Sequence, residues 1–189
     1  MKVDTFYFDE ASQEHTEKVF TIVRDFLEAN KNIEHVIVAT TEGTTGLAAA
    51  EMFKGKSVIV VTHQSGFVIP NDNELSQEKR ERIQKEGALL LTSTHAFAGV
   101  ARGIRVQLGG WQATEIIAVA LRTFGQGTKV CAEIAMMAAD AGLVPTNRDV
   151  VCIAGTGRGA DTAWVLQPAN TQTFTQLKMR VCLCKPFSF

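Results

Sequence analysis

Three consecutive segments indicate the topology of this chain: Asp149-Val150-Val151-Cys152-Ile153-Ala154, then Gly155-Thr156-Gly157-Arg158-Gly159, then Thr162-Ala163-Trp164-Val165-Leu166. The first segment is a continuous apolar run, which is typical of a central strand covered on both faces. The last segment is β-branched and aromatic, so it favours a strand over a helix. Two strands separated by a short glycine-rich loop predict a hairpin, in which the chain turns back antiparallel.

Upstream of this hairpin, short apolar runs alternate with helical patterns. Strands are predicted at residues 35–39, 57–61 and 88–91, and helices between them at 47–53 and 76–86. An earlier helix is indicated by one apolar stripe, which consists of His15, Val19, Ile22, Val23, Phe26 and Leu27. Strands that alternate with helices in this way form a parallel sheet with helices on both faces.

The remaining segments complete the predicted order of elements. A loop from Thr92 to about Gly110 is followed by two predicted helices, Trp111 to Phe124 and Lys129 to Ala141. A short strand ends at Tyr7-Phe8 near the amino terminus. The segment Leu177 to Cys184 is predicted to be a closing strand, antiparallel at an edge of the sheet.

The composition fits one α/β domain over residues 1–189. The chain has 46% hydrophobic and 21% charged residues, which excludes a disordered or fibrous protein. Its 19 Lys and Arg nearly balance its 20 Asp and Glu, and no basic cluster stands out, so neither nucleic acid nor a membrane is expected as a partner. The first residues carry no secretory signal and no apolar run is long enough to span a bilayer, so a cytoplasmic location is expected.

The four cysteines give no sign of a disulfide framework or a metal site. Cys131, Cys152, Cys182 and Cys184 lie in apolar surroundings without C-x-x-C spacing, so they are expected to be reduced, buried thiols. Cys182 and Cys184 would share one strand face, but a metal would need a His or carboxylate from elsewhere. No metal site is predicted.

Similar polar segments follow four of the predicted strands. Open parallel sheets bind ligands beyond the carboxyl ends of their strands, so these segments are the candidate site. They supply hydroxyls, glycine amides, two histidines and one arginine. The candidate binding residues are Thr40, Thr41, Gly43, Thr44, Thr45, His63, Gln64, Thr92, Thr94, His95, Gly155, Thr156, Gly157, Arg158 and Gly159. No residue is predicted to be catalytic.

Two of these segments have the chemistry of a phosphate site. The segment 40–45 opens a helix, so the amides near Gly43 to Gly46 would face outward with the threonine hydroxyls as added donors. The alternative is a helix that is simply capped by threonine. In the segment 155–159 successive amides would converge on an anion that Arg158 closes over, and the alternative is a tight glycine hairpin with an exposed arginine. A strand follows the glycines where a dinucleotide fingerprint requires a helix, so that motif is excluded.

Other side chains at this edge leave several roles open. His63 and His95 follow strands closely and could bind a ligand, transfer a proton or merely cap and position neighbouring groups. Glu42 would repel a phosphate. Phe97 and Trp111 could cover a flat ring, although packing in the core is the favoured role for each aromatic.

With these residues in place, the sequence resembles the stand-alone proteins that are similar to the carboxy-terminal domain of pyruvate kinase. The resemblance covers nearly the whole chain in order. The matching stretches are residues 40–45, 62–67, 94–100, 109–111, 127–133, 155–163, 166–170 and 185–186. The resemblance implies a three-layer α/β/α sandwich with a mostly parallel five-stranded sheet and one antiparallel edge strand.

The resemblance also implies a ligand. In pyruvate kinases the loops that match 40–45 and 155–159 hold a phosphorylated effector, and in the stand-alone relatives flavin mononucleotide (FMN) is the expected ligand at the same place. The barrel in which pyruvate kinase catalyses needs about 250 residues and has no counterpart here, so kinase activity is not expected. A homo-oligomer is expected by analogy alone.

Three functional hypotheses follow from these observations. The first is a cytoplasmic binder of a phosphorylated cofactor, FMN, whose flat ring would lie toward His63, His95 and Phe97. The second is a flavin-dependent oxidoreductase, in which a histidine near the ring donates a proton. The third is a module that senses a phosphorylated metabolite or assembles subunits without catalysis.

Overall fold

The computed structural model describes residues 2–189 and confirms a mixed α/β fold. The chain forms seven strands and six α-helices, with short 3-10 helices at Gln13–His15 and Thr171–Gln176. The strands are β1 Phe6–Glu10, β2 His35–Ala39, β3 Ser57–Thr62, β4 Leu89–Thr92, β5 Val150–Ala154, β6 Thr162–Gln167 and β7 Lys178–Ser188. The helices are α1 Thr16–Ala29, α2 Thr44–Met52, α3 Gln77–Lys85, α4 Val100–Leu108, α5 Ala113–Arg122 and α6 Gln126–Asp140.

The strands form one sheet in the order β1-β7-β6-β5-β2-β3-β4. The predicted hairpin is confirmed, because β5 and β6 pair antiparallel with Cys152 opposite Trp164. Strand β2 pairs parallel with both β5 and β3, and β3 pairs parallel with β4. The four strands β5, β2, β3 and β4 therefore end at the same edge of the sheet.

The expectation of five strands with an antiparallel strand at the edge is wrong. The sheet has seven strands, and the strand that opposes the others is β6, which lies inside the sheet between β5 and β7. The final strand β7 does pair antiparallel with β6, but β1 covers its other side in parallel register. This pairing satisfies backbone groups that a free edge would expose, so β1 becomes the edge instead.

Alternate residues of the central strands face two separate cores, which makes the fold a three-layer sandwich. Val36 and Val38 of β2 pack with the helices α1, α2 and α3, whereas Ile37 packs with α6. The helix α6 is buried over most of its length, because α5 covers its outer side, where Ala118 of α5 packs with Ala132 and Met136 of α6. Because charged groups in so deeply buried a helix need partners, the few charged residues of α6 matter for the site described below.

The helix α4 was not predicted, since residues 92–110 were expected to form a loop. Gly99 and Gly103 favour a loop in the sequence, but Gly99 caps the helix at its start and Gly103 lies within it. No residue of α4 is buried, so the segment lacks the buried apolar stripe that identifies most helices.

The cysteines are free thiols. Cys131, Cys152 and Cys184 are buried as expected, whereas Cys182 is only half-buried. Burial raises the pKa of Cys182 to about 11 and that of Cys184 to about 12. Residues 2–189 contain no group of three or more His, Cys, Asp or Glu arranged to hold a metal ion. Within the same residues, no helix is both long enough and apolar enough to cross a membrane.

Two helical glycines give a test of this packing. Gly127 of α6 lies against the side chain of Thr162, whereas Gly103 of α4 has open space around it. We expect Gly127→Ala to lower the free energy of unfolding by about 1–3 kcal/mol through overpacking. The control Gly103→Ala should raise it by up to about 1 kcal/mol, because alanine favours a helix. Urea unfolding measures both, and equal effects of the two substitutions would contradict this packing.

Candidate functional site

The carboxyl ends of β5, β2, β3 and β4 open onto a cleft of about 1120 Å³. The cleft lies where the sequence placed the site, because parallel neighbouring strands bring their following loops together. The candidate residues that line it are Thr40, Thr41, Thr44, Thr45, His63, His95, Gly155, Gly157, Arg158 and Gly159. The candidates outside its lining are Gly43, Gln64, Thr92, Thr94 and Thr156.

The segment 40–45 forms a threonine-capped start of α2. Oγ1 of Thr40 accepts hydrogen bonds from the amides of Gly43, at 3.1 Å, and Gly46, at 3.3 Å. The expectation that these two amides face a ligand is therefore wrong, because the threonine cap uses both. The first two helical amides, those of Thr44 and Thr45, have no partner within the helix and stay available.

Gly43 is required for this turn. Its φ of +92° is left-handed, and an added Cβ would lie 2.4 Å from Cδ1 of Leu75. The same packing brings the next helix, α3, against the loop, and Nζ of Lys79 donates to Oγ1 of Thr44 at 3.3 Å. Lys79 does not line the cleft itself, but it places a cation beside Thr44, which does, and sequence reasoning missed it.

Asp161, which is 1% exposed, fixes the glycine segment 155–159 through hydrogen bonds to its carboxylate. Its carboxylate accepts from the amide of Thr156 at 3.0 Å and from the hydroxyl of Thr162 at 2.6 Å. The prediction that successive amides of this loop converge on an anion is therefore wrong for Thr156. Gly157 lines the cleft at a φ of +90° with open space beside its Cα.

The two loops meet through an ion pair. Nη2 of Arg158 donates to Oε1 of Glu42 at 2.7 Å, and both side chains are about half exposed. An exposed pair of this kind contributes little to stability. Glu14 and Glu17 of the first helical segment also line this end, so it is not uniformly positive.

Three rings form one wall of the cleft. The ring centroid of Phe67 lies 4.2 Å from that of His63 and 5.0 Å from that of His95. Nδ1 of His63 lies 2.8 Å from Oε1 of Glu74. Burial acts to raise the pKa of Glu74, but the hydrogen bond from His63 and a backbone hydrogen bond outweigh it, so this pKa is lowered. Sequence reasoning found both histidines and missed Phe67 and Glu74.

His95 is a neutral imidazole in this arrangement. Its Nε2 accepts from the amide of Gln64 at 3.4 Å, while its own amide donates to Oε1 of Gln64 at 3.3 Å. A ring nitrogen that accepts carries no proton, so the proton lies on Nδ1. Burial lowers the pKa of His95, and the attraction of Glu133 only partly opposes this.

The largest omission of the sequence reasoning is a buried ion pair on α6. Nζ of Lys129 donates to Oε2 of Glu133, and the residues are only 6% and 4% exposed. Oε1 of Glu133 accepts from the amide of Phe97 at 3.0 Å. Burial lowers the pKa of Lys129, although Glu133 raises it. Two opposite charges four positions apart in a predominantly apolar helix were the available signal.

The two aromatic candidates have different environments, although both line the cleft. Phe97 is 4% exposed and packs in the core beside α5 and α6, which agrees with the role favoured for it. Trp111 is 61% exposed, and the guanidinium of Arg105 lies 5.1 Å from its ring. The core role favoured for Trp111 is therefore wrong, and this side chain lies on the surface at the mouth of the cleft.

Comparison with known proteins agrees with this fold. The family model described as the pyruvate kinase alpha/beta domain matches residues 17–166. The chain belongs to this family. The matched residues extend from α1 to β6 and include both segments 40–45 and 155–159.

Solved structures of low similarity were also found. A pyruvate kinase from Cryptosporidium parvum is 12% identical, with a TM-score of 0.39, over 79% of this chain and 22% of its own. The Cryptosporidium parvum pyruvate kinase in complex with ADP is 13% identical, with a TM-score of 0.39, over 79% of this chain and 23% of its own. A hydrogen sulfide-producing enzyme from Fusobacterium nucleatum is 17% identical, with a TM-score of 0.30, over 58% of this chain and 28% of its own. The chain spans less than a quarter of the length of these two pyruvate kinases.

The neutral state of His95 predicts a pH dependence. Its folded-state pKa is lowered from 6.5, so the folded protein binds fewer protons than the unfolded chain. The resulting stability is complete above pH 6.5 and is lost as the pH falls through the folded-state pKa. Between pH 7.5 and 5.5, the wild type should lose unfolding free energy more steeply than His95→Gln, by at most about 1.4 kcal/mol per pH unit.

Urea unfolding across this pH range measures the difference. NMR titration of the histidine ring protons, with His95→Gln for assignment, checks its cause. A His95 signal that titrates at or above pH 6.5 would contradict the neutral assignment.

Proposed function

We propose that this protein binds a phosphorylated cofactor, FMN, at the carboxyl ends of its parallel strands. The observation that carries the proposal is the meeting of segments 40–45 and 155–159 at one end of a single cleft, where Arg158 reaches Glu42. The resemblance implies that the loops of pyruvate kinases that match these segments hold the phosphate of an effector.

The donors at this end fit a phosphate group. The amides and hydroxyls of Thr44 and Thr45 lie at the positive end of α2, where anions bind favourably. The guanidinium of Arg158 and the ammonium of Lys79 supply charge. Because nearby carboxylates cancel much of this charge, directed hydrogen bonds rather than a general positive field would hold the phosphate.

The three-ring wall fits a flat heterocycle. The rings of His63, Phe67 and His95 are adjacent in the same cleft as the phosphate donors. Nδ1 of neutral His95 carries a proton that it can donate to a ring acceptor. A bound flavin would supply hydride or electron chemistry, and the protein would bind and orient it. The cleft of about 1120 Å³ is slightly larger than the usual range of roughly 300–1,000 Å³ for ligand sites, so a second molecule also has room.

The first prediction for this site concerns the phosphate. We expect the wild type to bind FMN at least ~10-fold more tightly than riboflavin, because riboflavin lacks the phosphate. Arg158→Gln should reduce this ratio to below about threefold while leaving riboflavin affinity unchanged. Flavin fluorescence titration measures both affinities.

The matched control is Arg180→Gln, which removes another exposed arginine, paired with Asp149 outside the cleft. It should leave the FMN to riboflavin ratio at the wild-type value. The absorption spectrum and mass spectrometry of protein purified without added flavin give an independent measurement. A colourless protein that takes up no added FMN would overturn the FMN proposal.

A second prediction concerns Glu42, whose carboxylate forms an ion pair with Arg158. A bound phosphate competes with this carboxylate and is repelled by it. We expect Glu42→Gln to tighten FMN binding by about threefold to tenfold, since like-charge repulsion at this range amounts to about 1 kcal/mol. Riboflavin affinity should not change. An unchanged or weaker FMN affinity would place the phosphate away from Arg158.

A flavin-dependent oxidoreductase is the second candidate. The buried pair Lys129 and Glu133 lines the cleft near neutral His95, and such perturbed ionisable groups cluster at functional sites. Substituting His63 and His95 separates the candidates. An enzyme would retain its ligand and lose turnover, whereas a binder or a sensing module would have no turnover to lose.

A further inference from the structure

One free edge of the sheet is β1, which pairs in parallel with β7 on its other side. Phe8 lies opposite Pro186 in this pair. In parallel strands one of two opposite residues makes both backbone hydrogen bonds, and since Pro186 has no N–H, that residue is Phe8. Backbone groups alternate in direction along a strand, so the N–H and C=O groups of Tyr7 and Asp9 point away from β7. They form an unpaired ladder to which another strand can add.

Aromatic side chains are exposed around this edge. The rings of Tyr7 and Phe187 lie 6.2 Å apart, so they form one surface. Apolar side chains that are exposed singly are ordinary, whereas a contiguous group of them marks an interaction site. The exposed aromatic residues of β1 and the end of the chain are Phe6 at 42%, Tyr7 at 51%, Phe187 at 74% and Phe189 at 56%.

The face of β1 that α1 covers carries two unpaired charges. Side chains alternate along a strand, so Glu10 shares this face with Phe6 and with Phe8, which is buried against α1. Nζ of Lys18, on α1, lies 5.3 Å from the ring centroid of Phe6. Lys18 and Glu10 are exposed, and neither has an oppositely charged group within 4.0 Å among residues 2–189. Both charges are therefore free to meet charges of a partner.

The other face of β1 repeats this pattern with Tyr7 and Asp9. The register of β1 on β7 places Tyr7 opposite Lys185, whose Nζ lies 5.7 Å from the ring centroid of Tyr7. Within residues 2–189, neither Lys185 nor Asp9 has an oppositely charged group within 4.0 Å. On each face, then, a lysine lies beside an aromatic residue of β1, and a carboxylate follows further along the strand.

Antiparallel pairing of β1 with β1 of a second copy matches these charges. With Phe8 opposite the partner's Phe8, Tyr7 lies opposite the partner's Asp9, and Phe6 lies opposite the partner's Glu10. Directly opposite residues share a face and have Cα atoms roughly 4.5–5.5 Å apart. Each Glu10 therefore meets the lysine beside the other copy's Phe6, and each Asp9 meets the lysine beside the other copy's Tyr7. The ladder groups of Tyr7 and Asp9 also pair with one another.

The neighbouring registers oppose like charges. Opposite side chains keep their faces only when the register shifts by two residues. A pairing centred on Asp9 places two copies of this carboxylate opposite each other. A pairing centred on Tyr7 places Glu10 opposite the partner's Asp4. Like charges directly opposite each other are destabilising, so the register centred on Phe8 is favoured.

We propose that this chain forms a two-fold dimer in which β1 pairs antiparallel with β1 of a second copy, centred on Phe8. The two seven-stranded sheets become one continuous sheet. A second copy is favoured over an unrelated partner, because one surface supplies both members of every ion pair and so complements itself. Strands β7 and β6 separate β1 from β5, so this interface does not use the loops assigned to the phosphate and is independent of FMN.

The test begins with sedimentation equilibrium of the full chain. At about 100 μM protein we expect a mass twice that of one chain, with a dimer Kd on the order of 10 μM or tighter. Glu10→Lys and Lys18→Glu should each raise this Kd at least ~10-fold, because each puts like charges together at both ends of the pairing. The double variant should return to within about threefold of the wild-type Kd, because it exchanges the two charges.

A further variant tests the backbone ladder. Asp9→Pro removes an N–H at the free edge and leaves the hydrogen bonds between β1 and β7 in place, so it should raise the dimer Kd at least ~10-fold. Circular dichroism checks that each variant is folded, and Asp9→Lys serves if the proline variant is not. The matched control is Glu78→Lys, an exposed site on α3, which packs beside β4 at the opposite end of the sheet. It should leave the Kd unchanged.

Three results would overturn the proposal. The first is a mass of one chain at about 100 μM protein. The second is a dimer whose Kd changes with none of the β1 variants, which would place the interface elsewhere on the molecule. The third is a double variant of Glu10 and Lys18 that dimerises no better than either single variant, since the register requires these two charges to meet.

Discussion

The parallel pairing of β2 with β5 is the constraint on which the site depends. Val36 lies opposite Val151 and Val38 opposite Ile153, so the two strands end together at the same edge of the sheet. Their following loops then lie side by side, and Glu42 reaches Arg158 although 116 positions separate them. The antiparallel β6 fits into this arrangement, because the glycine loop returns the chain beside β5 and places Asp161 under the loop.

Burial of charge divides the cleft into two chemically different ends. At the loop end the ionic groups are half exposed, so water screens them and directed amides and hydroxyls dominate. At the helical end Lys129, Glu133 and Glu115 are less than a tenth exposed, so their interactions are stronger and their positions are fixed by hydrogen bonds. A helix that is buried on nearly all sides tolerates charges only when they are paired or satisfied by a ligand.

Sequence patterns predicted the framework well and the edge of the sheet poorly. The alternation of apolar runs and helices identified β2, β3, β4 and β5, and the β-branched run at 162–166 identified β6. The position of β1 was not predictable, because pairing between the two ends of the chain leaves no local pattern. The helix α4 was missed for a related reason, since its residues are not buried and Gly103 interrupts its helical signal.

The order of the predicted strands was enough to identify the loops that follow them, and hence to predict that Thr44, His63, His95 and Arg158 meet in one cleft. That inference needs only strand order, because neighbouring parallel strands end at one edge. Tertiary structure decided which donors stay available: Thr40 occupies the amides of Gly43 and Gly46, and Asp161 occupies that of Thr156. It also decided that Arg102, Glu115 and Lys129 line the same cleft. Those three residues lie on helices that pack against one another. The orientation of such helices depends on tertiary contacts and cannot be predicted from local sequence patterns.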